Sequence, residues 1–388
     1  MDKKIIYLDH AATTYTDPEV VRAIEPYFTE KFYNPSSLYT PARDVAHAVK
    51  HARSTIAKWI RANNDREIIF TASGSEGDNA AIFGIANANR DKGRHIITSA
   101  VEHPAVLETV EGMKRFGFDH TILPVDKFGM VDPNTVRDAI RDDTVLITIM
   151  LANNEVGTIQ PIKEIGRIAR ERGVYFHTDA VQAVGSVPID VHEMNLDALT
   201  MAAHKLYGPK GVGALYLRDG VAFDSLIKGG HQENGKRAGT HNNPGIVGLA
   251  KAVDLAYSNM QENNERIIRL REKLINNILE NIPDVILNGH PTKRLPNNTN
   301  FCFKYIDSEA ILLHLDMLGV CASSGSACSS GTGDPSVVLK AMGIPPEVAR
   351  GSLRMTLGKD TTDDEIDFVI KNLIGIVGKL RDMSPLVD

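Results

Sequence analysis

The chain has 388 residues and a hydrophobic fraction of 43%, which suits roughly two to three domains with ordinary buried cores. Its 43 Lys and Arg residues against 49 Asp and Glu residues give a net charge of −6, which argues against direct binding to nucleic acid or to an anionic membrane surface. Three cysteines exclude a disulfide framework and favour a reducing compartment, so we expect a cytoplasmic protein that acts on small molecules.

The start of the chain and its apolar runs give no indication of export or of membrane insertion. Residues 1–8 lack an apolar stretch of signal-peptide length and a small-residue cleavage site. The longest apolar run, residues 144–151, is far shorter than the ~20 residues that a membrane-spanning helix needs. We therefore predict no membrane partner, and we predict no metal site.

Short β-rich runs alternate with helical patterns through the first half of the chain. The runs are residues 67–71, 95–99, 121–125, 145–151, 174–177, 198–201 and 212–217. This alternation predicts an α/β domain built on a mainly parallel, doubly wound sheet.

The predicted strands end in polar residues, and ligands of such sheets bind at the carboxyl ends of the strands. These residues are Gly74 and Ser75, Glu102 and His103, Asn153 and Asn154, Asp179 and Gln182, and His204 and Lys205. Five strand ends are therefore expected to converge on one crevice.

The second half of the chain follows a different pattern. Residues 243–281 are helical and increasingly charged, which predicts a long helix that leaves the sheet domain. A smaller α+β domain follows, with strands at 299–305 and 353–356, a helix at 308–318, a Ser/Gly-rich segment at 323–333 and a last helix from Thr362. We predict a large domain at 15–257 and a small domain formed by 1–14 and 258–388.

Asp179 and Lys205 together suit one aldehyde cofactor, pyridoxal 5'-phosphate (PLP). An aspartate paired with the pyridine nitrogen keeps the ring protonated as an electron sink, and a lysine amine holds the aldehyde as a Schiff base. Taken alone, Asp179 is better explained as a turn or helix-cap residue and Lys205 as a solvated surface residue. The cofactor-binding interpretation of this pair is supported by the polar residues at the other predicted strand ends.

Two further strand ends fit the same cofactor. Residues 73–76 open a helix whose first-turn N–H groups can bind a phosphate, although a glycine turn capped by Ser73 explains the same residues. His103, with Pro104 starting the next helix, could stack on the ring and move protons near neutral pH, or it could be a structural histidine.

Cys328 and Arg354 suit the chemistry of an amino-acid substrate. Cys328 lies in a Ser/Gly-rich run with almost nothing to bury, so it is a candidate nucleophile that needs a basic partner, for which His103 is the candidate. Cys302 and Cys321 have apolar neighbours and are expected to be packing residues. Arg354, a cation in a strand-like run, could bind a carboxylate through two hydrogen bonds or could serve in an ordinary ion pair.

Together these segments resemble the PLP-dependent cysteine desulfurases of the NifS/IscS type, over nearly the whole chain. The supporting motifs are residues 8–14, 34–37, 102–104, 153–157, 177–182, 204–211, 237–240 and 324–331. The resemblance implies a fold-type I, aspartate-aminotransferase-like large domain with a smaller α+β domain.

The resemblance also implies roles for single residues at the cofactor. Lys205 would hold it, Asp179 would pair with the pyridine nitrogen, Gln182 would bond the ring hydroxyl, His103 would stack on the ring, and Asn154 would contact it.

For the phosphate, the resemblance implies Gly74, Ser75 and His204, joined by Thr240 from the other subunit of a homodimer. The sequence departs from the family here, because Ala202 occupies the place of a serine that usually contacts the phosphate. A second departure is Tyr39, which occupies the place of a histidine.

For the substrate, the resemblance implies that Asn154 and Arg354 bind the carboxylate of L-cysteine, with Asn34 nearby. Cys328 would attack the sulfur, leaving alanine and a persulfide for a sulfur acceptor, such as an iron–sulfur scaffold or a thiolation protein. The alternatives are a selenocysteine or cystine lyase or an aminotransferase on the same fold, and a non-catalytic scaffold that binds a sulfur carrier.

Overall fold

The computed structural model describes residues 5–324 and 336–384. The strands are β1 (Ile6–Tyr7), β2 (Ile68–Thr71), β3 (His95–Ser99), β4 (Asp119–Leu123), β5 (Thr144–Thr148), β6 (Tyr175–Asp179), β7 (Ala198–Ala202), β8 (Gly213–Leu217), β9 (Val285–Leu287), β10 (Asn298–Phe303), β11 (Val320–Cys321) and β12 (Ser352–Thr356).

The α-helices are α1 (Pro18–Ile24), α2 (Pro26–Thr29), α3 (Thr40–Ile60), α4 (Gly74–Ala88), α5 (Pro104–Gly112), α6 (Pro133–Ala139), α7 (Ile162–Arg172), α8 (Asn243–Ser258), α9 (Met260–Asn281), α10 (Ser308–Met317), α11 (Val337–Ala341), α12 (Pro346–Ala349) and α13 (Asp363–Asp382). Short 3₁₀ helices cover Asp65–Glu67, Met113–Phe116, Ala203–Lys205 and Gln232–Gly235.

The large sheet has the strand order β2-β8-β7-β6-β5-β3-β4. Strand β8 runs antiparallel to both of its neighbours, whereas the pairs formed by β3 to β7 are parallel. The predicted α/β fold with a mainly parallel sheet is therefore confirmed.

Helices cover both faces of this sheet, which explains why its central strands are apolar throughout. On one face Phe176 and Leu199 belong to a buried cluster that includes Ile56 of α3 and Leu249 of α8. On the other face Leu146 belongs to a second cluster, with side chains from α4 and α5. The carboxyl ends of the strands are thereby left as the open edge.

A smaller, three-stranded sheet with the order β12-β10-β9 holds its own core. Phe301 of β10 and Leu353 of β12 are fully buried in a cluster with Leu274 of α9 and Leu373 of α13. The amino-terminal segment joins this part of the molecule, because β1 pairs in parallel with β11 and Asp9 forms a parallel bridge with Thr356.

Several predicted elements have other bounds in the structure, and the strand expected at 145–151, for example, ends at Thr148. The helix expected over 243–281 is broken at Asn259, which leaves the helical conformation and separates α8 from α9. The strand expected at 121–125 lies at Asp119–Leu123, an edge strand in which only Leu123 is buried, so that burial did not mark its start. Among the described residues, no helix is long and apolar enough to cross a membrane.

Candidate active site

A cavity of about 500 Å³ lies at the carboxyl ends of the strands of the large sheet. All five predicted strand ends contribute to its lining, which includes Gly74, Ser75, Glu102, His103, Asn154, Asp179, Gln182, His204, Lys205 and Arg354. Asn153 lies behind the lining, where its side chain accepts hydrogen bonds from the N–H groups of Glu155 and Val156 and so builds the turn.

Asp179 and Lys205 occupy the ends of adjacent strands. Asp179 ends β6, is 6% exposed, and accepts a hydrogen bond from the Val181 N–H at 2.8 Å. Burial raises its pKa, against the lowering effect of that hydrogen bond and of the His103 and Lys205 charges. Lys205 Nζ donates to Ala11 O at 2.5 Å and to Ala12 O at 2.7 Å.

His103 caps helix α5 and is held in one orientation. Its Nδ1 accepts a hydrogen bond from the Ala105 N–H at 3.1 Å, so the proton of the neutral ring resides on Nε2. Burial lowers the pKa of His103, the Asp179 charge opposes this, and the Lys205 charge adds to it. A neutral ring near pH 7 can both stack and accept a proton.

The first turn of α4 forms the opposite end of the cavity. The Ser73 side chain caps the helix by accepting a hydrogen bond from the Glu76 N–H at 3.1 Å. A Cβ on Gly74 would lie 2.8 Å from Val181 Cγ2, so the helix start approaches the turn after β6 more closely than a side chain allows. Ala202 lies beside this turn and offers no hydroxyl group.

His204 lines the same end of the cavity. Its Nδ1 lies 3.1 Å from Thr13 Oγ1. Burial and the neighbouring Lys205 and Lys210 charges lower its pKa to about 4. The imidazole is therefore neutral at pH 7 and can donate to an anion through its other nitrogen.

Arg354 is 1% exposed and projects from β12 into the cavity wall. Its Nη1 donates to Asn154 O at 3.0 Å and its Nη2 to Asp9 Oδ1 at 2.9 Å. Its Nε is buried and has no hydrogen-bond partner among residues 5–324 and 336–384. A buried guanidinium donor without a partner beside a cavity is a binding group for a carboxylate.

Three further carboxyl groups line the cavity. Burial raises the pKa of Glu102 to about 8, although hydrogen bonds from Ser99 and the Met150 N–H act in the opposite direction. Burial and the Asp179 charge raise the pKa of Asp78 well above its usual value. Burial also raises the pKa of Glu155, whose carboxylate accepts the Ser336 hydroxyl.

The donor set fits PLP. The cavity places a lysine and an aspartate at adjacent strand ends, and it has a glycine-lined helix start with a neutral histidine for a phosphate group. The Nε of Arg354, which has no partner within the described part of the chain, is suited to bind a separate carboxylate. The lining residues therefore include groups suited to the aldehyde, the ring nitrogen and the phosphate of the cofactor.

Two predicted residues do not line this cavity in the single chain. Asn34 is exposed, and its side chain accepts a hydrogen bond from the Ser36 N–H at 2.9 Å. Thr240 is exposed and lines a separate depression with Phe70 and His241.

The predicted nucleophile, Cys328, lies outside the described residues. Cys302 is fully buried, and burial raises its pKa to about 11. Burial and the Asp316 and Asp9 charges raise the pKa of Cys321. Both thiols are therefore poor nucleophiles near neutral pH.

Sequence reasoning missed Asp9, Asp78 and Glu155. Asp9 belongs to the segment 8–14 that carried the family resemblance, so a role in the site was within reach. Glu155 likewise belongs to the segment 153–157 that carried the resemblance. Asp78 belongs to none of these segments, and only its burial at the cavity marks it.

The class-V aminotransferase family model matches residues 6–369, which is most of the chain. The chain belongs to this family. Its enzymes and the cysteine desulfurases among them depend on PLP, so the predicted cofactor is confirmed.

Two comparisons confirm the predicted resemblance to the NifS/IscS type. The chain is 54% identical over 385 residues to a protein of Methanosarcina thermophila named cysteine desulfurase IscS, covering 99% of this chain and 95% of that protein. A solved structure titled NIFS-like protein has a TM-score of 0.91 at 34% identity and covers 97% of this chain and 100% of that one. A further solved structure, SspA in complex with cysteine, has a TM-score of 0.81 at 37% identity, with 92% and 100% of the two chains covered.

Proposed function

We propose that this chain is a PLP-dependent cysteine desulfurase that converts L-cysteine to L-alanine and transfers the sulfur to Cys328 as a persulfide. The observation that carries the proposal is the convergence of Lys205, Asp179 and Arg354 on one cavity. Full-length relatives named cysteine desulfurase at more than half identity support the same reaction.

The cofactor would be held by residues from five strand ends. Lys205 Nζ would bind the aldehyde, Asp179 would pair with the ring nitrogen, Gln182 would bond the ring hydroxyl, and His103 and Asn154 would contact the ring. Gly74, Ser75 and His204 would bind the phosphate. PLP supplies an aldehyde for the substrate amine and a protonated ring that withdraws electrons from it.

The substrate carboxylate would bind between Arg354 and Asn154. Asp9 and the Asn154 carbonyl hold two of the guanidinium nitrogens, so that the fork is oriented before the substrate arrives. Burial of the guanidinium strengthens a charge-assisted hydrogen bond to a carboxylate.

Two residues would move protons. Lys205 Nζ would take the proton from the substrate Cα, because it lines the cavity and its bonds to the Ala11 and Ala12 carbonyls hold it there. His103 Nε2 would hold or accept the proton of the substrate thiol, since burial keeps the ring neutral.

The sulfur step requires a nucleophile. Cys328 thiolate would attack the substrate sulfur, the carbon–sulfur bond would break, and a sulfur–sulfur bond would form. The substrate carbon keeps the electron pair of the broken bond and takes up a proton, which yields alanine. The terminal sulfur of the persulfide is then available to a thiol acceptor.

We also propose a homodimer and the division of each subunit into domains at 15–257 and at 1–14 with 258–388. Support for the dimer is the exposure of Thr240 outside the cavity of its own chain, together with the exposed apolar side chains of Phe28, Phe32 and Leu38. Support for the division is that Ile6 and Leu8 belong to the hydrophobic cluster of the small sheet.

The enzyme would act in the cytoplasm and deliver sulfur to an iron–sulfur scaffold or to a tRNA thiolation protein. The support is the low cysteine content and the name IscS among its relatives. The acceptor would be recognised by its own thiol, since the persulfide reacts by exchange with a thiolate.

The test is incubation with L-cysteine and a reductant, with alanine and sulfide measured side by side. Equal amounts of alanine and sulfide are expected. Faster turnover of cystine or selenocysteine than of cysteine would overturn the proposal in favour of a lyase.

A further inference from the structure

The loop from 226 to 242 carries Thr240 but lies outside the cavity of its own chain. Thr240 is exposed and borders a depression of about 190 Å³ that Phe70 and His241 also line. Because the loop runs over the surface, its position depends on a small number of side-chain anchors. The structure contains two of them, at Glu233 and at Arg237.

Glu233 has an unusual combination of burial and backbone conformation. It is 5% exposed, and its backbone is left-handed with φ of 50°, as is that of Asn234 with φ of 55°. A residue with a Cβ rarely adopts this conformation unless the surrounding structure imposes it. Two such residues in succession indicate that the loop is held in a defined shape by the contacts of the Glu233 side chain.

These contacts come from three separate elements. Both Arg53 Nη atoms of α3 donate to the Glu233 carboxylate, one of them at 2.5 Å. The Phe70 N–H of β2 donates to Oε2 at 2.9 Å. His241 Nε2 lies 2.8 Å from Oε1. The Glu233 carboxylate therefore connects His241, the neighbour of Thr240, to β2 at the edge of the large sheet.

Arg237 provides the second anchor. Its Nε donates to Glu76 Oε1 at 2.8 Å and its Nη2 to Oε2 at 3.2 Å. Glu76 lies in the first turn of α4, the turn that would hold the phosphate in this chain, and it also accepts the Ala72 N–H. The loop is therefore fixed before Thr240 by Arg237 and after it by His241. Arg237 attaches it to the helix start that would bind the phosphate in this chain.

We infer that Glu233 is a positioning residue that places Thr240 for phosphate binding in the partner subunit. The inference rests on the proposed function, because it needs the dimer in which Thr240 reaches the second site. Glu233 does not contact the cofactor in its own cavity and acts through His241 and the backbone of the loop. A neutral side chain would lose the charge-assisted bonds to Arg53 and His241, and the loop would then sample other positions.

The test compares the affinities of the dimeric apoprotein for PLP and for pyridoxal, which lacks the phosphate. The variants are Glu233→Gln, Thr240→Val and the double variant. Each single change is expected to weaken PLP binding about tenfold and to leave pyridoxal binding unchanged, because only the phosphate contact is lost. The double variant should be no weaker than the weaker single variant, since one residue acts through the other.

Asp197→Asn is the matched control. Asp197 is 4% exposed, and it accepts the Phe176 N–H at 2.8 Å and Arg218 Nε at 2.7 Å, at the end of the sheet away from the cavity. The Asp197→Asn change should lower the melting temperature without changing the ratio of the affinity for PLP to the affinity for pyridoxal. If Glu233→Gln fails to fold, His241→Phe removes the contact next to Thr240 and keeps Arg53 paired, and a several-fold loss of PLP affinity alone is expected.

The outcomes separate the inference from the proposed function. Normal PLP affinity in Thr240→Val would overturn the shared phosphate site and the inference with it. Weak PLP binding in Thr240→Val with normal binding in Glu233→Gln would overturn the inference alone. Equal losses for PLP and pyridoxal, or additive losses in the double variant, would show that Glu233 has only a general structural role.

Discussion

Arg354 Nη2 donates to Asp9 Oδ1 at 2.9 Å, which joins the buried strand β12 to the amino-terminal segment. Asp9 Oδ2 in turn accepts the Ser323 hydroxyl at 2.9 Å. The described residues therefore hold the guanidinium at two of its nitrogens, and among them the third nitrogen, Nε, has no partner. This geometry favours binding of a carboxylate in one orientation.

Arg354→Lys is expected to raise KM for L-cysteine and to lower kcat/KM by the equivalent of about 2–5 kcal/mol, because an ammonium cannot reproduce the guanidinium fork in a desolvated site. Steady-state kinetics at low cysteine concentration measure the change in kcat/KM. Arg218→Lys, which alters an arginine paired with Asp197 away from the cavity, should leave kcat/KM unchanged. Near-normal kcat/KM for Arg354→Lys would rule out the carboxylate role.

Lys205 should be the residue that binds the cofactor covalently. Borohydride reduction followed by peptide mapping is expected to place the label on Lys205, because its Nζ lines the cavity. Lys210, five positions later, donates to Thr14 O at 3.3 Å and serves as the control, since Lys210→Ala should keep the label. A label on another lysine would refute the assignment.

Cys328→Ser should still change the absorbance of the bound cofactor when cysteine is added, yet release almost no alanine. A serine hydroxyl is not ionised near pH 7 and does not accept sulfur. Cys302→Ser and Cys321→Ser should leave alanine production largely intact, because burial raises the pKa of both thiols. Mass spectrometry without reductant should find one added sulfur on the Cys328 peptide, and its appearance on Cys321 would contradict the mechanism.

Glu102 should make the free energy of unfolding depend on pH. Burial raises its pKa from 4.5 to about 8, so the folded protein retains a proton that the unfolded chain releases. The stabilisation that the protonated, buried Glu102 contributes to the folded state is complete below pH 4.5 and is lost as the pH rises towards about 8. As the pH rises through this range, the free energy of unfolding measured by urea titration should therefore fall further for the wild type than for Glu102→Gln. A constant difference would show that Glu102 is ionised in the folded protein.

Ala202→Ser is expected to strengthen PLP binding and leave pyridoxal binding unchanged. Ala202 ends β7 next to the first turn of α4, so a hydroxyl there would add a phosphate contact. Ala203→Ser is the matched control, because Ala203 is fully buried and does not line the cavity. It should lower stability without strengthening PLP binding. Unchanged PLP affinity in Ala202→Ser would show that the phosphate lies elsewhere.

The sequence predicted the large sheet and its five strand ends because burial on both faces makes the strands apolar and leaves polar residues only where they end. The break at Asn259 was not predicted, since the helical pattern continues on both sides of it. The partner of Arg354 was not predicted either. Asp9 and Arg354 are 345 positions apart, and local patterns carry no information on such pairing.

Residues 9–14 carry a further consequence. Asp9 orients Arg354, the Ala11 and Ala12 carbonyls hold Lys205, and Thr14 binds the backbone of His204. This short segment thus contacts both Arg354, the proposed carboxylate-binding residue, and Lys205, the proposed cofactor-binding residue. A proteolytic cut after Thr14 would remove the covalent link between this segment and helix α1, so cleavage there is expected to lower activity although the strand ends of the large sheet remain intact.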